Sequence, residues 1–167
     1  MLEKLTSRDL DVAALEALYQ HLGPQAGFAA EAISALRQLD AQVIWRAAWL
    51  LRRHAREHRF TPDQLIVLGE EAQRIEPWLA RLNLCQLFAR TGCPLEAKDA
   101  IAPFLQECAR DRRALVRAWA LSALFTLRED PELGAAIVRQ LAAARRDPAK
   151  SVQARLRQLA IPSLPVR

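Results

Sequence analysis

The sequence predicts an all-α protein of about four stacked helical hairpins, and three observations carry that prediction. Ala, Leu, Arg, Glu and Gln dominate the chain, and all are good helix formers. Runs of β-branched residues are absent, as are the Asn-Gly and Asp-Gly pairs that mark tight β-hairpins. Related segments recur at intervals of 35 to 37 residues, the spacing of a repeat array.

Proline and glycine set the element boundaries. They fall at Gly23-Pro24, Thr61-Pro62-Asp63, Glu76-Pro77, Gly92-Cys93-Pro94, Asp130-Pro131-Glu132 and Asp147-Pro148. A Ser, Thr or Asp followed by Pro starts a helix, because the side-chain oxygen takes a free backbone N–H and proline has none to leave unbonded. The intervals give nine helices, near residues 8–22, 26–39, 42–58, 62–74, 77–90, 95–110, 112–128, 131–146 and 150–160. Short loops predict antiparallel neighbours. Residues 1–24 form an N-terminal capping helix, with Leu10, Leu15, Leu18 and Leu22 facing the first repeat. Residues 25–160 make about four repeats, and 161–167, with two prolines, form an extended tail. No linker divides the chain, so all 167 residues are one domain.

Composition narrows the class. A hydrophobic share of 51% with 26% charged residues fits neither a disordered tail nor a membrane protein. No apolar run approaches the ~20 residues that span a bilayer. The start, MLEKLTSRDLD, lacks the apolar stretch of a signal peptide, so a cytoplasmic location is expected. Cys85, Cys93 and Cys108 form no C-x-x-C pair. Cys85 and Cys108 read as small buried apolar residues inside helices. Cys93 sits at a loop with nothing adjacent to lower its pKa. The net charge of +5 is uneven: residues 1–40 carry three bases (Lys4, Arg8, Arg37) against six acids (Glu3, Asp9, Asp11, Glu16, Glu31, Asp40). The rest is strongly basic, which suits an acidic partner or nucleic acid, although a bias to Arg, Ala and Leu also follows from a GC-rich genome.

Four segments define the repeat: IWRAAWLL (44–51), LARLNLCQ (79–86), VRAWALSA (116–123) and VQARLRQL (152–159). Each reads as the second helix of a hairpin, with its aliphatic first residue opening the inward stripe. An acid precedes each by three to five places: Asp40, Glu76, Asp111 and Asp147. There it can cap the second helix and meet its positive end. In DRRALVRAWALSAL (111–124) and DPAKSV (147–152), the turn Asp followed five residues later by an aliphatic residue resembles the HEAT-repeat family. Pro103 inside DAIAPFL (99–105) is similar to the family's first-helix kink. The resemblance covers roughly residues 26–160 and implies a right-handed α-solenoid whose second helices line a concave face. Asn83, Gln86 and Arg155 depart from the pattern, standing where small or apolar residues are expected.

Several constellations bear on chemistry. His54-Ala-Arg-Glu57-His58 matches the H-x-x-E-H of inverzincin proteases, since histidines at i and i+4 share a helix face and can hold zinc. Here it lies among Arg52, Arg53, Arg56 and Arg59, whose charge repels a cation, and it reads as a solvated helix end. No Ser-His-Asp arrangement, phosphate-cradling glycine loop or dinucleotide fingerprint occurs, so no enzyme activity and no cofactor are predicted.

Trp45, Trp49, Arg52 and Arg56 follow the spacing of one helical stripe. With Ile44, Ala47, Ala48 and Leu51 inward, the two tryptophans either form a surface patch beside the arginines or pack between repeats. Trp78 and Trp119 read as core. With Arg81 and Arg117, the stripe supplies the expected binding face for a protein partner, which the basic surface predicts to be acidic. HEAT-like arrays generally bind proteins, so the resemblance implies a scaffold. A second expectation is nucleic-acid binding through inter-helix turns carrying Arg110, Arg112, Arg113, Arg145, Arg146 and Lys150. Resemblance to HEAT-like DNA glycosylases favours it, but their catalytic Asp has no counterpart on the middle second helices. Resemblance to HEAT-like bilin lyases implies a maturation factor for another protein.

Overall fold

A computed structural model describes residues 1–7 and 10–159. The predicted tail, 161–167, lies outside the described residues, as do Arg8 and Asp9 at the start of the first predicted helix. Among the described residues all regular structure is helical: α1 (Leu2–Leu5), α2 (Val12–Leu22), α3 (Phe28–Ala35), α4 (Ala41–His54), α5 (Pro62–Ala72), α6 (Trp78–Thr91), α7 (Lys98–Cys108), α8 (Ala114–Leu124), α9 (Gly134–Ala144) and α10 (Lys150–Gln158). Single 3-10 turns, Leu95–Ala97 and Phe125–Leu127, precede α7 and follow α8. No described helix is long and apolar enough to cross a membrane.

The boundaries follow local chemistry. Asp11 Oδ1 accepts from Ala14 N–H and Asp40 Oδ1 from Gln42 N–H, capping α2 and α4. Thr61 and Gln64 cap each other's backbone at the start of α5, with Pro62 in the first turn. Gly92, at φ 74°, ends α6 in a conformation that a side chain disfavours. α1 lies ahead of the helix expected near 8–22, and the helices expected near 42–58 and 112–128 end sooner, at His54 and Leu124.

α4 packs on α6, α6 on α8 and α8 on α10, while α3 packs on α5 and α5 on α7. Contacts of α3 with α4 and of α7 with α8 join the two series, and α1 and α2 both lie against α4. One continuous apolar core fills the space between, including Leu50, Leu84, Leu87, Phe88, Phe104 and Leu124. Leu15 is buried, and Leu10, Leu18 and Leu22 pack against this core. Buried Arg46 ties the N-terminal segment to α4, donating Nη1 to Leu5 O at 2.7 Å and Ser7 O at 2.8 Å.

The register of the even-numbered helices is a constant 36 residues. Arg81 Nε donates to Ile75 O, Arg117 Nη1 to Asp111 O and Gln153 Nε2 to Asp147 O, each six residues back. The matching inward residues are Ile44, Ala80, Val116 and Val152, all buried. This moves the second segment by one place: Leu79, expected to face inward, is 36% exposed.

The acids before the even helices do not all act as predicted caps. Asp111 Oδ1 accepts from Arg113 N–H and Asp147 Oδ1 from Ala149 N–H, so both close the turn from three residues before the first helical residue. Glu76 makes no such bond among the described residues. The same carboxylates meet arginines from the neighbouring unit: Arg117 Nε and Nη2 fork onto Asp147, each at 2.9 Å, and Arg81 reaches Glu107 at 2.6 Å and Asp111 at 3.8 Å.

Charge separates with helix position. The four helices α4, α6, α8 and α10 contain no Asp or Glu but carry Arg46, Arg52, Arg53, Arg81, Arg90, Arg117, Lys150, Arg155 and Arg157. The other series, α3, α5, α7 and α9, carries Glu31, Asp63, Glu70, Glu71, Asp99 and Glu107 against only Lys98 and Arg139.

Candidate functional site

The α4 stripe predicted from spacing divides between two grooves. At its C-terminal end a groove of about 460 Å³ is lined by Arg52, Arg56, Gln86, Ala89, Arg90, Trp119 and Arg155, with no carboxylate. Three of its four arginines are held by their Nε atoms. Arg52 Nε donates to Asn83 Oδ1 at 2.6 Å, Arg90 Nε to Ala55 O at 3.0 Å and Arg155 Nε to Ser122 Oγ at 2.6 Å. Asn83 and Ser122 are themselves buried and fixed, donating to Leu79 O at 2.6 Å and Ala118 O at 3.1 Å. The Arg155 guanidinium lies 3.8 Å over the Trp119 ring.

This anchoring leaves donors over. The terminal nitrogens of Arg52 and Arg90 make no hydrogen bond to a described residue, nor does the guanidinium of the exposed Arg56. Burial, and then the charges of Arg56 and Arg53, push the Arg52 pKa down; burial alone does so for Arg155. Arg53 points elsewhere: it holds Glu16 and Glu57 and stacks 4.5 Å over Tyr19, so its pKa is raised by hydrogen bonding to Glu16 first. The groove therefore contains cationic side chains without internal neutralisation, beside an aromatic wall and the Gln86 amide. Such a set matches oxyanions, because each planar guanidinium presents a pair of N–H donors.

A second groove, of about 760 Å³, opens at the N-terminal ends of α4 and α6. Trp45, Trp78, Leu39 and Leu79 supply its apolar wall, and Arg74, Arg112 and Arg113 its basic rim. Arg113 lies 5.0 Å over the Trp78 ring. Both tryptophans are half-buried.

Other predicted site residues are placed differently. Trp49 is only 8% exposed, because α1, α2, α3 and α6 enclose α4 and leave it a far wider buried face than a single stripe. Its ring packs 5.8 Å from the Arg52 guanidinium. Trp78 and Trp119, read as core, are half-buried and line the two grooves. Arg81 and Arg117 are committed to the carboxylates described above. Of the turn residues, Arg110, Arg112, Arg145, Arg146 and Lys150 are exposed, while Arg113 is half-buried against Trp78.

The H-x-x-E-H segment is not a solvated helix end throughout. His54 is buried against Tyr19, Phe28 and Phe60 and stacks on exposed His58 with centroids 4.3 Å apart. Its Nδ1 has no partner, and desolvation pushes its pKa down to about 4. Glu57 is used by Arg53 and by the Tyr19 hydroxyl, which donates to it at 3.1 Å. Among the described residues no cluster of three or more His, Cys, Asp or Glu could hold a metal ion. All three cysteines are buried, and burial raises the Cys93 thiol to about 11. Sequence reasoning missed Asn83, Arg90 and Ser122. The visible signal was polar residues in the apolar pattern at Asn83, Gln86 and Arg155.

Comparison with models of known protein families, with curated proteins and with solved structures finds no match for this chain.

Proposed function

We propose that the chain is a short HEAT-like, right-handed α-solenoid of about four two-helix units that binds an acidic protein partner on the face of α4, α6, α8 and α10. It acts as a scaffold or adaptor and not as a catalyst. The 36-residue register and the side-by-side order of the even helices support the solenoid reading. The observation that carries the function is the groove of Arg52, Arg56, Arg90 and Arg155, with three guanidiniums anchored through Nε and no acid in the lining. Holding like charges together costs free energy in the unliganded protein, and an anionic partner relieves it. The Trp45–Trp78 groove, reached from the same helix, adds an apolar anchor of the kind that dominates interface energies.

A second reading, nucleic-acid binding, is favoured by the exposed turn residues Arg110, Arg112, Arg146 and Lys150, which form no ion pair with a described residue. Affinity capture separates the two. Wild type and an Arg52→Glu/Arg90→Glu variant, both with intact helical circular dichroism, are compared with and without nuclease. The proposal expects acidic proteins that are retained after nuclease, released by salt and lost from the variant. Retention that nuclease abolishes and the variant keeps supports the nucleic-acid reading instead.

A further inference from the structure

We infer that the arginine groove is built for a phosphomonoester, carried as a phosphorylated serine or threonine by the acidic partner; this rests on the proposed protein-binding role. Four guanidiniums share a space of about 460 Å³, and no carboxylate lines it. One phosphomonoester brings a charge of roughly −1.5 to −2 and three acceptor oxygens, whereas a carboxylate brings one charge and two oxygens. A tetrahedral group with three acceptor oxygens can meet several converging guanidiniums at once, whereas a carboxylate offers them two coplanar oxygens and a single charge. A nucleic-acid phosphodiester has one charge and two free oxygens per residue, so it matches this concentration of donors less well.

The construction of the groove points the same way. Arg52, Arg90 and Arg155 spend their Nε atoms on Asn83, Ala55 and Ser122, and Arg155 Nη1 also donates to Gln158 Oε1 at 3.2 Å, which aims the remaining donors without a conformational search. Asn83 is a buried polar residue at a position where the helix pattern calls for a small or apolar one, and buried Ser122 accepts from Arg155 Nε. Breaks of local pattern that are fully hydrogen-bonded concentrate at functional sites.

The experiment uses fluorescence anisotropy at fixed ionic strength with three degenerate acidic peptide pools, whose central residue is phosphoserine, aspartate or serine. A single-stranded oligonucleotide of equal charge is the fourth probe. Wild type is compared with Arg52→Gln/Arg90→Gln, and with Arg56→Gln, which removes no bond of the fold. Arg139→Gln, an exposed charge on α9 with no ion pair to a described residue, serves as the charge control. The phosphoserine pool is expected to bind wild type at least about tenfold more tightly than the aspartate pool, and both groove variants to lose most of that preference. Equal binding of the phosphoserine and aspartate pools overturns the inference and leaves the acidic-partner reading standing. Phosphoserine binding that Arg56→Gln and the double variant leave unchanged also overturns it. Oligonucleotide binding alone, or no binding by any probe, overturns both.

Discussion

Arg52 of α4 donates its Nε to Asn83 Oδ1 of α6 at 2.6 Å, so a guanidinium of the groove is aimed by a buried amide on the next helix of the series. Asn83 is thereby a positioning residue. Asn83→Leu should leave stability within about 1 kcal/mol of wild type, because an apolar side chain of similar size replaces a satisfied amide and half-exposed Arg52 can turn to water. Affinity for an acidic peptide should fall roughly fivefold, equivalent to about 1 kcal/mol. Urea denaturation and anisotropy on the same variant check both halves. A large loss of stability with affinity unchanged would make Asn83 a purely structural residue.

Arg117 and Asp147 are a different case, since their ion pair belongs to the frame. Their side chains are 17% and 14% exposed, and Asp147 also accepts from Ala149 N–H. Asp147→Ala should cost about 2–3 kcal/mol, because it strands a mostly buried guanidinium and opens the turn. A double-mutant cycle with Arg117→Met should give a coupling of about 1–2 kcal/mol in urea titrations.

Much of the frame was legible in the sequence because local chemistry sets it. Asp40 and the Thr61-Pro62 pair start helices where their capping chemistry requires, whereas the helix expected from residue 8 begins at Val12, capped by Asp11. The second segment was misread by one residue because Leu79 is exposed and Ala80 is the inward residue. A single Leu outweighed a single Ala when hydrophobicity alone set the register. The placement of the tryptophans rests on tertiary packing that helical spacing does not carry. Trp49 is 8% exposed on a helix that α1, α2, α3 and α6 all contact, and half-buried Trp119 lies under the Arg155 guanidinium. The burial of His54 against Tyr19 and Phe28, from helices earlier in the chain, has no local signature.

Gly69 lies where α5 and α7 approach closely. A Cβ there would lie 2.8 Å from the Ala100 carbonyl carbon and 2.9 Å from its oxygen, both backbone atoms. Gly69→Ala gains about 1 kcal/mol of helix propensity but forces the two helices apart, so a net destabilisation of about 1–2 kcal/mol is expected. The midpoint of urea unfolding should fall; a midpoint above wild type would mean the helices separate freely.

His54 makes stability depend on pH. Its folded pKa is pushed down to about 4 from 6.5, so the unfolded chain takes up the proton first. The contribution of the neutral, buried ring is fully present above pH 6.5 and is lost progressively as pH falls towards 4. The carboxylates Glu16, Glu57, Asp130 and Asp147, whose pKa values are lowered, withdraw their contributions below about pH 4.5. Between pH 6.5 and 4.5 wild type should therefore lose on the order of 1–2 kcal/mol that His54→Phe does not lose. Thermal melts of both proteins across that range provide the comparison.

The central claim is that the acid-free face of the even helices receives an acidic partner at the arginine groove. The most direct measurement is a two-dimensional ¹H–¹⁵N NMR titration with a hexaglutamate peptide at low salt, following backbone amides, arginine Nε–H and tryptophan indole signals. The account predicts saturable shifts concentrated at Arg52, Gln86, Arg90, the Trp119 indole and Arg155, with smaller changes at Arg110, Arg112 and Arg146. Shifts that grow linearly without saturating, or that centre on those turn arginines and leave Trp119 unmoved, would contradict it.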